Sequence, residues 1–291
     1  MLRLWISILT CLLLLACTAP PEPMQLLPSH PWHESKGGAH RGTVLLVHGL
    51  NNRPEVMQPL AERLADEGYD ACVVTLTGHE SSGAWPDVDY EAAWLGDFSR
   101  AVESAKARFP DQPLFGIGYS LGATVITRSL ADHPELQLSG LVLISPAWPL
   151  TLRSRLIRAF VPFDVLGMSL PSFAPPAYRA HNRTSLRAYR GLFRLADSVN
   201  EGMEGDASRR LRATKTLCAI SPDDRLVSYS GMEDWLAKHK LPDWTLEALH
   251  PAPQDSSLPA HLVLDEESLG HEEWEHFTRL IFELFARDTR R

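Results

Sequence analysis

At 291 residues, with 44% hydrophobic and 22% charged side chains, the chain has the composition of a globular protein and enough length for one large α/β domain with an insertion. Its formal charge of −8 argues against nucleic acid as a partner for the chain as a whole. Residues 1–16 read as a leader rather than as fold: one charge, Arg3, precedes an apolar stretch from Leu4 to Leu15 that is too short to span a bilayer.

The leader ends in Leu14-Leu15-Ala16-Cys17, which resembles the bacterial lipobox, although Leu15 is bulkier than is usual there. On that reading the mature chain starts at a lipid-modified Cys17 and is exported to the bacterial cell membrane, at the periplasmic or surface side of the outer membrane. The alternative is a plain secretory signal with an incidental Cys17. Residues 17–42 carry Pro, His and Gly without periodicity and read as a tether. His30, His33 and His40 lie in it, with no Asp or Cys cluster that would make them a metal site, and no metal or organic cofactor is implied anywhere in the chain. Cys72 and Cys218 sit inside apolar, strand-like runs that are not expected to be neighbours, so two buried free thiols are expected, not a disulfide.

Thr43–Val47 is a continuous aliphatic run, the pattern of a strand buried on both faces. It runs into His48-Gly49-Leu50, and Pro54 then opens a helix with Val56, Leu60 and Leu64 on one face, stopped by Gly68. A strand over Asp70 to Leu76 leads into Gly78-His79, with Ser82 three residues on. A helix between Asp87 and Phe109 presents Trp94, Phe98, Val102 and Ala105. Next comes the stretch from Leu114 to Ala123: strand, tight turn, helix, with Gly118, Ser120 and Gly122 in the form G-x-S-x-G. A nucleophilic serine must stand clear of the sheet on a strained turn, and glycines two residues either side remove the Cβ atoms that would clash. The following helix aims its N-terminus at the site, where negative charge develops.

These three pieces, His48-Gly49, Gly78-His79 and the turn at Ser120, resemble the α/β-hydrolase superfamily, in its esterase, monoglyceride-lipase and serine-aminopeptidase-like branch. The match covers about residues 43–287 apart from a poorly matched middle section, and Glu80 stands where the family usually has glycine. The resemblance implies an α/β fold: a mostly parallel sheet flanked by helices, with a core of 43–148 and 213–291 and a cap at 149–212. It also implies that the backbone N–H groups of Leu50 and Leu121 form an oxyanion hole; fixed donors stabilise the charged intermediate without reorganising, at about 3 kcal/mol of barrier each. His48 and His79 are expected to tie loops rather than to act as the base.

The cap opens with an apolar, Pro-rich part, including Phe160, Phe163, Val165, Leu166, Met168 and Phe173, expected either to line an acyl pocket or to pack the cap on the body. A helical part follows from Tyr178 to Met203. Between Thr151 and Lys215 there are 12 Lys and Arg against 5 Asp and Glu, a basic segment in an acidic chain that reads either as a face for anionic lipid or substrate or as solvated arginines. After the strand Thr216–Ile220, the family's D-x-x-V pattern falls on Asp224 and Val227, with Asp223 as the fallback acid. The base is His261 or His250; the segment His261-Leu262-Val263-Leu264-Asp265 resembles the family's histidine segment and follows the chain order Ser, Asp, His, which favours His261. His271 and His276 lie on a closing helix and are expected to face solvent. The function so implied is a serine hydrolase of acyl esters, with lipids among them. A peptidase, an acyltransferase or a non-catalytic lipid-anchored binding protein are the alternatives. The oligomeric state is not readable.

Overall fold

The computed structural model describes residues 30–80, 84–201, 205–251 and 260–286. Its strands are β1 (Trp32–His33), β2 (Thr43–Val47), β3 (Asp70–Val74), β4 (Leu114–Tyr119), β5 (Gly140–Ile144), β6 (Ser169–Pro171), β7 (Arg183–Ser185), β8 (Thr216–Ile220) and β9 (Trp244–Ala248). Seven of them form one sheet in the order β1-β3-β2-β4-β5-β8-β9, parallel throughout except where β1 meets β3. The helices are α1 (Gln58–Asp66), α2 (Tyr90–Arg108), α3 (Leu121–Asp132), α4 (Leu152–Leu156), α5 (Leu186–Glu201), α6 (Gly205–Ala213), α7 (Tyr229–His239), α8 (Glu266–Leu269) and α9 (His271–Ala286).

The central strands are apolar on both faces because helices cover both. Along β2, Val44 and Leu46 join a core with Leu60 and Leu64 of α1 and Phe277 and Ile281 of α9, while Leu45 and Val47 join one with Trp94 and Phe98 of α2 and Val125 of α3. Side-chain caps set helix starts at Asp89, Ser228 and Asp265. Because the sheet is parallel, the carboxyl ends of β2, β4, β8 and β9 all open on one edge, where such sheets hold their sites.

Three expectations are corrected. The tether does not run to residue 42: β1 pairs with Cys72 and Ala71 of β3, and His30 Nδ1 accepts from the Thr75 amide. The segment 149–212 is not one cap. In its second half α5 packs on α2 and α3 of the body as well as on the 3₁₀ stretch over Ile157–Leu166, and α6 packs on α3, where the Arg210 guanidinium binds the carbonyls of Leu130 and Ala131. What overlies the sheet edge is α4, a 3₁₀ stretch over Ile157–Leu166 and the β6–β7 hairpin. Most apolar residues of this cap neither line a pocket nor pack down; Ile157 and Phe173 line the cavity over Ser120, and Ile157, Val161 and Leu170 pack against the core. Leu152, Leu156, Phe160, Phe163, Val165, Leu166, Met168 and Phe173 are all exposed, Leu152 by 77%.

Cys72 and Cys218 are buried free thiols on non-adjacent strands. His271 is exposed, and half-buried His276 bonds Glu247. Cys17 and the leader lie outside the described residues.

Candidate active site

Ser120 occupies the turn between β4 and α3 with φ 51° and ψ −108°, a conformation that L-residues adopt only under constraint. The constraint is visible on every side. The Ser120 amide donates to the Ile144 carbonyl at 2.8 Å, and the Ser120 carbonyl accepts from the amides of Thr124 and Ala147. Gly118 and Gly122 are required sterically: a Cβ on Gly122 would stand 2.1 Å from the Val47 carbonyl oxygen, and one on Gly118 would stand 2.5 Å from the backbone of Ala123. The close approach of α3 to β2 and β4 therefore depends on both glycines, as the motif demands.

Two further side chains reach the serine from distant loops. His261 Nε2 lies 3.0 Å from Ser120 Oγ, and His261 Nδ1 lies 2.7 Å from Asp224 Oδ2. The other carboxylate oxygen of Asp224 accepts from the amides of Leu226 and Val227 at 2.8 and 3.0 Å. The turn from Asp224 to Val227 thus fixes the carboxylate, which is what a D-x-x-V spacing supplies. Ser120, Asp224 and His261 are all buried. The competing residues lie elsewhere: Asp223 is exposed, and His250 is exposed with its amide donating to Glu273.

Leu50 follows β2, whose C-terminal end pairs with that of β4, and it lines the same cavity as Ser120. Leu121 is the first residue of α3, and the first amides of a helix have no intrahelical acceptor. His48 and His79 are fully buried and bond backbone. Each donates from Nδ1, His48 to the Gly49 carbonyl and His79 to the Leu76 carbonyl, while each Nε2 accepts, from the amides of Leu76 and Asn51. Burial lowers the His48 imidazole to about 4 and holds His79 well below its ordinary value, with the facing His48 adding to the effect. Two residues were not singled out from sequence. Tyr119 donates its buried hydroxyl to the His261 carbonyl at 3.1 Å and packs its ring on the imidazole. Asn51 joins the loop after β2 to the cap. Tyr119 stands inside the G-x-S-x-G motif, but its partner is 142 residues away and no local pattern marks it.

The cavity over Ser120 measures about 100 Å³, room for several waters at the ~10–15 Å³ each needs. Its walls include Leu150, Ile157, Phe173, Tyr189, Phe193 and Leu262, and the described residues that line it carry no Asp, Glu, Lys or Arg.

A strained serine at the carboxyl edge of a parallel sheet, bonded to a histidine that is bonded to a carboxylate, is the arrangement of the α/β-hydrolase fold. The family description "Serine aminopeptidase, S33" (Hydrolase_4) matches residues 38–191, more than half of the chain, and the chain belongs to that family. A thermostable monoacylglycerol lipase of Bacillus sp. (strain H-257) is 34% identical over 106 residues, 36% of this chain and 40% of the relative's length. The chain thus spans less than half of that relative. Among solved structures, a soluble variant of the Saccharomyces cerevisiae monoglyceride lipase superposes with a TM-score of 0.71 at 15% identity, over 89% of this chain and 91% of that one. The monoacylglycerol lipase of Paleococcus ferrophilus does so with 0.61 at 19% identity, over 89% and 98%. At these identities the superpositions establish the fold.

Proposed function

We propose that the chain is a serine hydrolase of carboxylic esters, with acyl lipids as its substrate class. Ser120 Oγ attacks the acyl carbon while its proton passes to His261 Nε2. Asp224 holds the imidazole in the Nδ1–H tautomer and stabilises its cation. The amides of Leu50 and Leu121 bind the oxyanion. Collapse expels the alkoxide, which leaves as the alcohol with the proton from His261, and water repeats the sequence on the acyl-enzyme to release the acid. The observation that carries this reading is the continuous hydrogen-bonded chain Ser120–His261–Asp224 beneath an apolar cavity.

Three observations bear on the substrate. The cavity walls suit an acyl chain. An aminopeptidase must neutralise the substrate's α-ammonium, and the described lining residues offer no carboxylate for it, whereas an ester asks for none. The exposed apolar side chains of the cap, with Arg153 and Arg155 exposed among them, supply a face for an anionic lipid surface, and Phe173 belongs both to that face and to the cavity wall. Monoacylglycerol lipases among the relatives agree with this class. Lipid modification at Cys17 belongs to the same reading and would hold the protein at a bacterial membrane.

The test is hydrolysis of p-nitrophenyl esters from acetate to palmitate, with Ser120→Ala alongside and aminoacyl amides as competitors. Ester turnover that disappears in the variant is expected. Turnover of amides in place of esters would move the reading to the peptidase, and absence of fluorophosphonate labelling at Ser120 would move it to a non-catalytic binding protein.

A further inference from the structure

The loop that carries Leu50 is a tight turn: the Asn52 amide donates to the Gly49 carbonyl at 3.2 Å, with Leu50 and Asn51 at its centre. Asn51 has φ 57°, a left-handed value at the third position of the turn that Asn tolerates better than most residues. It is buried, with 2% exposure, and every polar group it has is used. Its amide donates to His79 Nε2 at 2.9 Å, and its carbonyl accepts from the Ala180 amide at 2.9 Å. Its side-chain oxygen accepts from the His181 amide at 2.9 Å. Its side-chain nitrogen donates to the His181 carbonyl at 2.9 Å and to Thr184 Oγ1 at 3.0 Å. Four of these five bonds reach the segment that closes the cap, some 130 residues away in sequence. On the next residues, the Arg53 amide and Asn52 Nδ2 both donate to the Tyr178 carbonyl.

The geometry matters because a trans peptide is planar. The Gly49 carbonyl and the Leu50 N–H belong to one plane and point in opposite directions, so whatever anchors that carbonyl aims that N–H. The carbonyl is anchored by the Asn52 amide and by His48 Nδ1 at 2.9 Å, and the turn that presents the Asn52 amide depends on Asn51 remaining left-handed. We propose that Asn51 is a positioning residue that clamps the oxyanion turn to the closing segment of the cap and to His79, and so aims the Leu50 amide at the reacting carbonyl. The proposal rests on the serine-hydrolase reading above. It adds that the cap is not only a cover: its strand β7 and the residues before it are one support of the oxyanion hole.

The test isolates the side chain from the backbone. Asn51→Gly suits the left-handed conformation and retains the amide and carbonyl bonds, but removes the three side-chain bonds to the cap. The readout is the second-order rate of fluorophosphonate labelling at Ser120, which needs nucleophile, base and oxyanion hole whatever the preferred substrate, together with kcat and KM on a p-nitrophenyl ester. Removing one oxyanion donor outright costs about 10²–10³ in kcat, so a donor left in place but poorly aimed is expected to slow labelling and kcat at least tenfold, with KM within twofold. Thr184→Val, which removes one of the three bonds, is expected to slow labelling about threefold and keeps the test open if Asn51→Gly fails to fold. Labelling within twofold of wild type in the folded Gly variant, with only a lowered unfolding midpoint, would reduce Asn51 to a structural residue and overturn the proposal. A wild-type protein that is not labelled at Ser120 would overturn the serine-hydrolase reading and this proposal with it, an outcome distinct from the first.

Discussion

Asp223 and Asp224 differ by one position and by nearly everything else. Asp224 is 7% exposed, gives one oxygen to two backbone amides and the other to His261; Asp223 is exposed, outside that network. Asp224→Asn is therefore expected to lower kcat by about 10⁴, because the amide that replaces the carboxylate favours the wrong imidazole tautomer, while Asp223→Asn stays within twofold of wild type. Steady-state kinetics of the two variants on one ester check this, and equal losses would contradict it. This scale also marks how far the sequence can be read. Ser120, Gly118 and Gly122 are legible because strand, turn and helix are consecutive, so the chemistry and its steric demands share one stretch of chain. Asp224 and His261 are legible only through spacing rules that a local turn enforces, which is why Asp223 and His250 stay open until the fold brings His261 to the serine. Asn51 and Tyr119 are illegible, since what defines them is a bond to a residue more than a hundred positions away.

Among the elements, the parallel strands of the main sheet were legible because burial on both faces leaves an apolar run, and the structure places β2 on the residues expected, Thr43–Val47, whereas the short strands β1, β6 and β7 carry no such run. The insertion was not legible, because apolarity alone does not say which way a residue faces: most of its apolar first part is turned outward, and α5 and α6 also pack on the body. The turns after β2 and β3 are held by the buried pair His48 and His79, whose rings lie 4.7 Å apart. Both must be neutral, since each accepts a backbone N–H at Nε2. Burial lowers the folded-state value of His48 to about 4, below the ~6.5 of an unfolded histidine. Between those values the unfolded chain binds the proton and the folded chain does not. The stability that the neutral ring contributes is thus complete above about pH 6.5 and is lost as the pH falls toward 4, at about 1.4 kcal/mol per pH unit for one such group. The unfolding midpoint of the wild type is expected to fall across this window more steeply than that of His48→Gln, which retains a donor and an acceptor without a titrating ring. Parallel slopes in thermal melts from pH 7 to pH 4.5 would show that the pair does not govern acid stability.

At the scale of the whole molecule, charge and apolarity are unevenly placed. The chain carries −8 formally, yet its insertion is basic, and several of the arginines there are already spent on ion pairs: Arg158 with Asp197, Arg187 with Asp87, Arg190 with Asp164, and Arg194 with Asp89 and Glu91. Arg153 and Arg155 stand exposed on α4, between Leu152 and Leu156. An acidic body with a small basic and apolar face would be oriented by an anionic lipid surface: the body would be repelled, the arginines attracted, and the apolar side chains would gain by leaving water. A lipid at Cys17 would supply tethering and the cap face would supply orientation, two weak attachments that hold firmly only together. The chain from residue 18 onward, which has no lipid, is then expected to co-sediment with phosphatidylglycerol vesicles more than with phosphatidylcholine vesicles, and less as salt rises, because charge attraction is screened. Leu152→Ser with Leu166→Ser should weaken that binding at least tenfold while leaving hydrolysis of a soluble acetate ester within twofold, since neither side chain lines the cavity and both are more than two-thirds exposed. In cells that export the full chain, Cys17→Ala should move the protein from a salt-resistant membrane fraction to one that salt extracts. Vesicle binding that ignores headgroup charge and the two serines would assign the apolar face no lipid role, and a salt-resistant Cys17→Ala protein would remove the lipid anchor from the account.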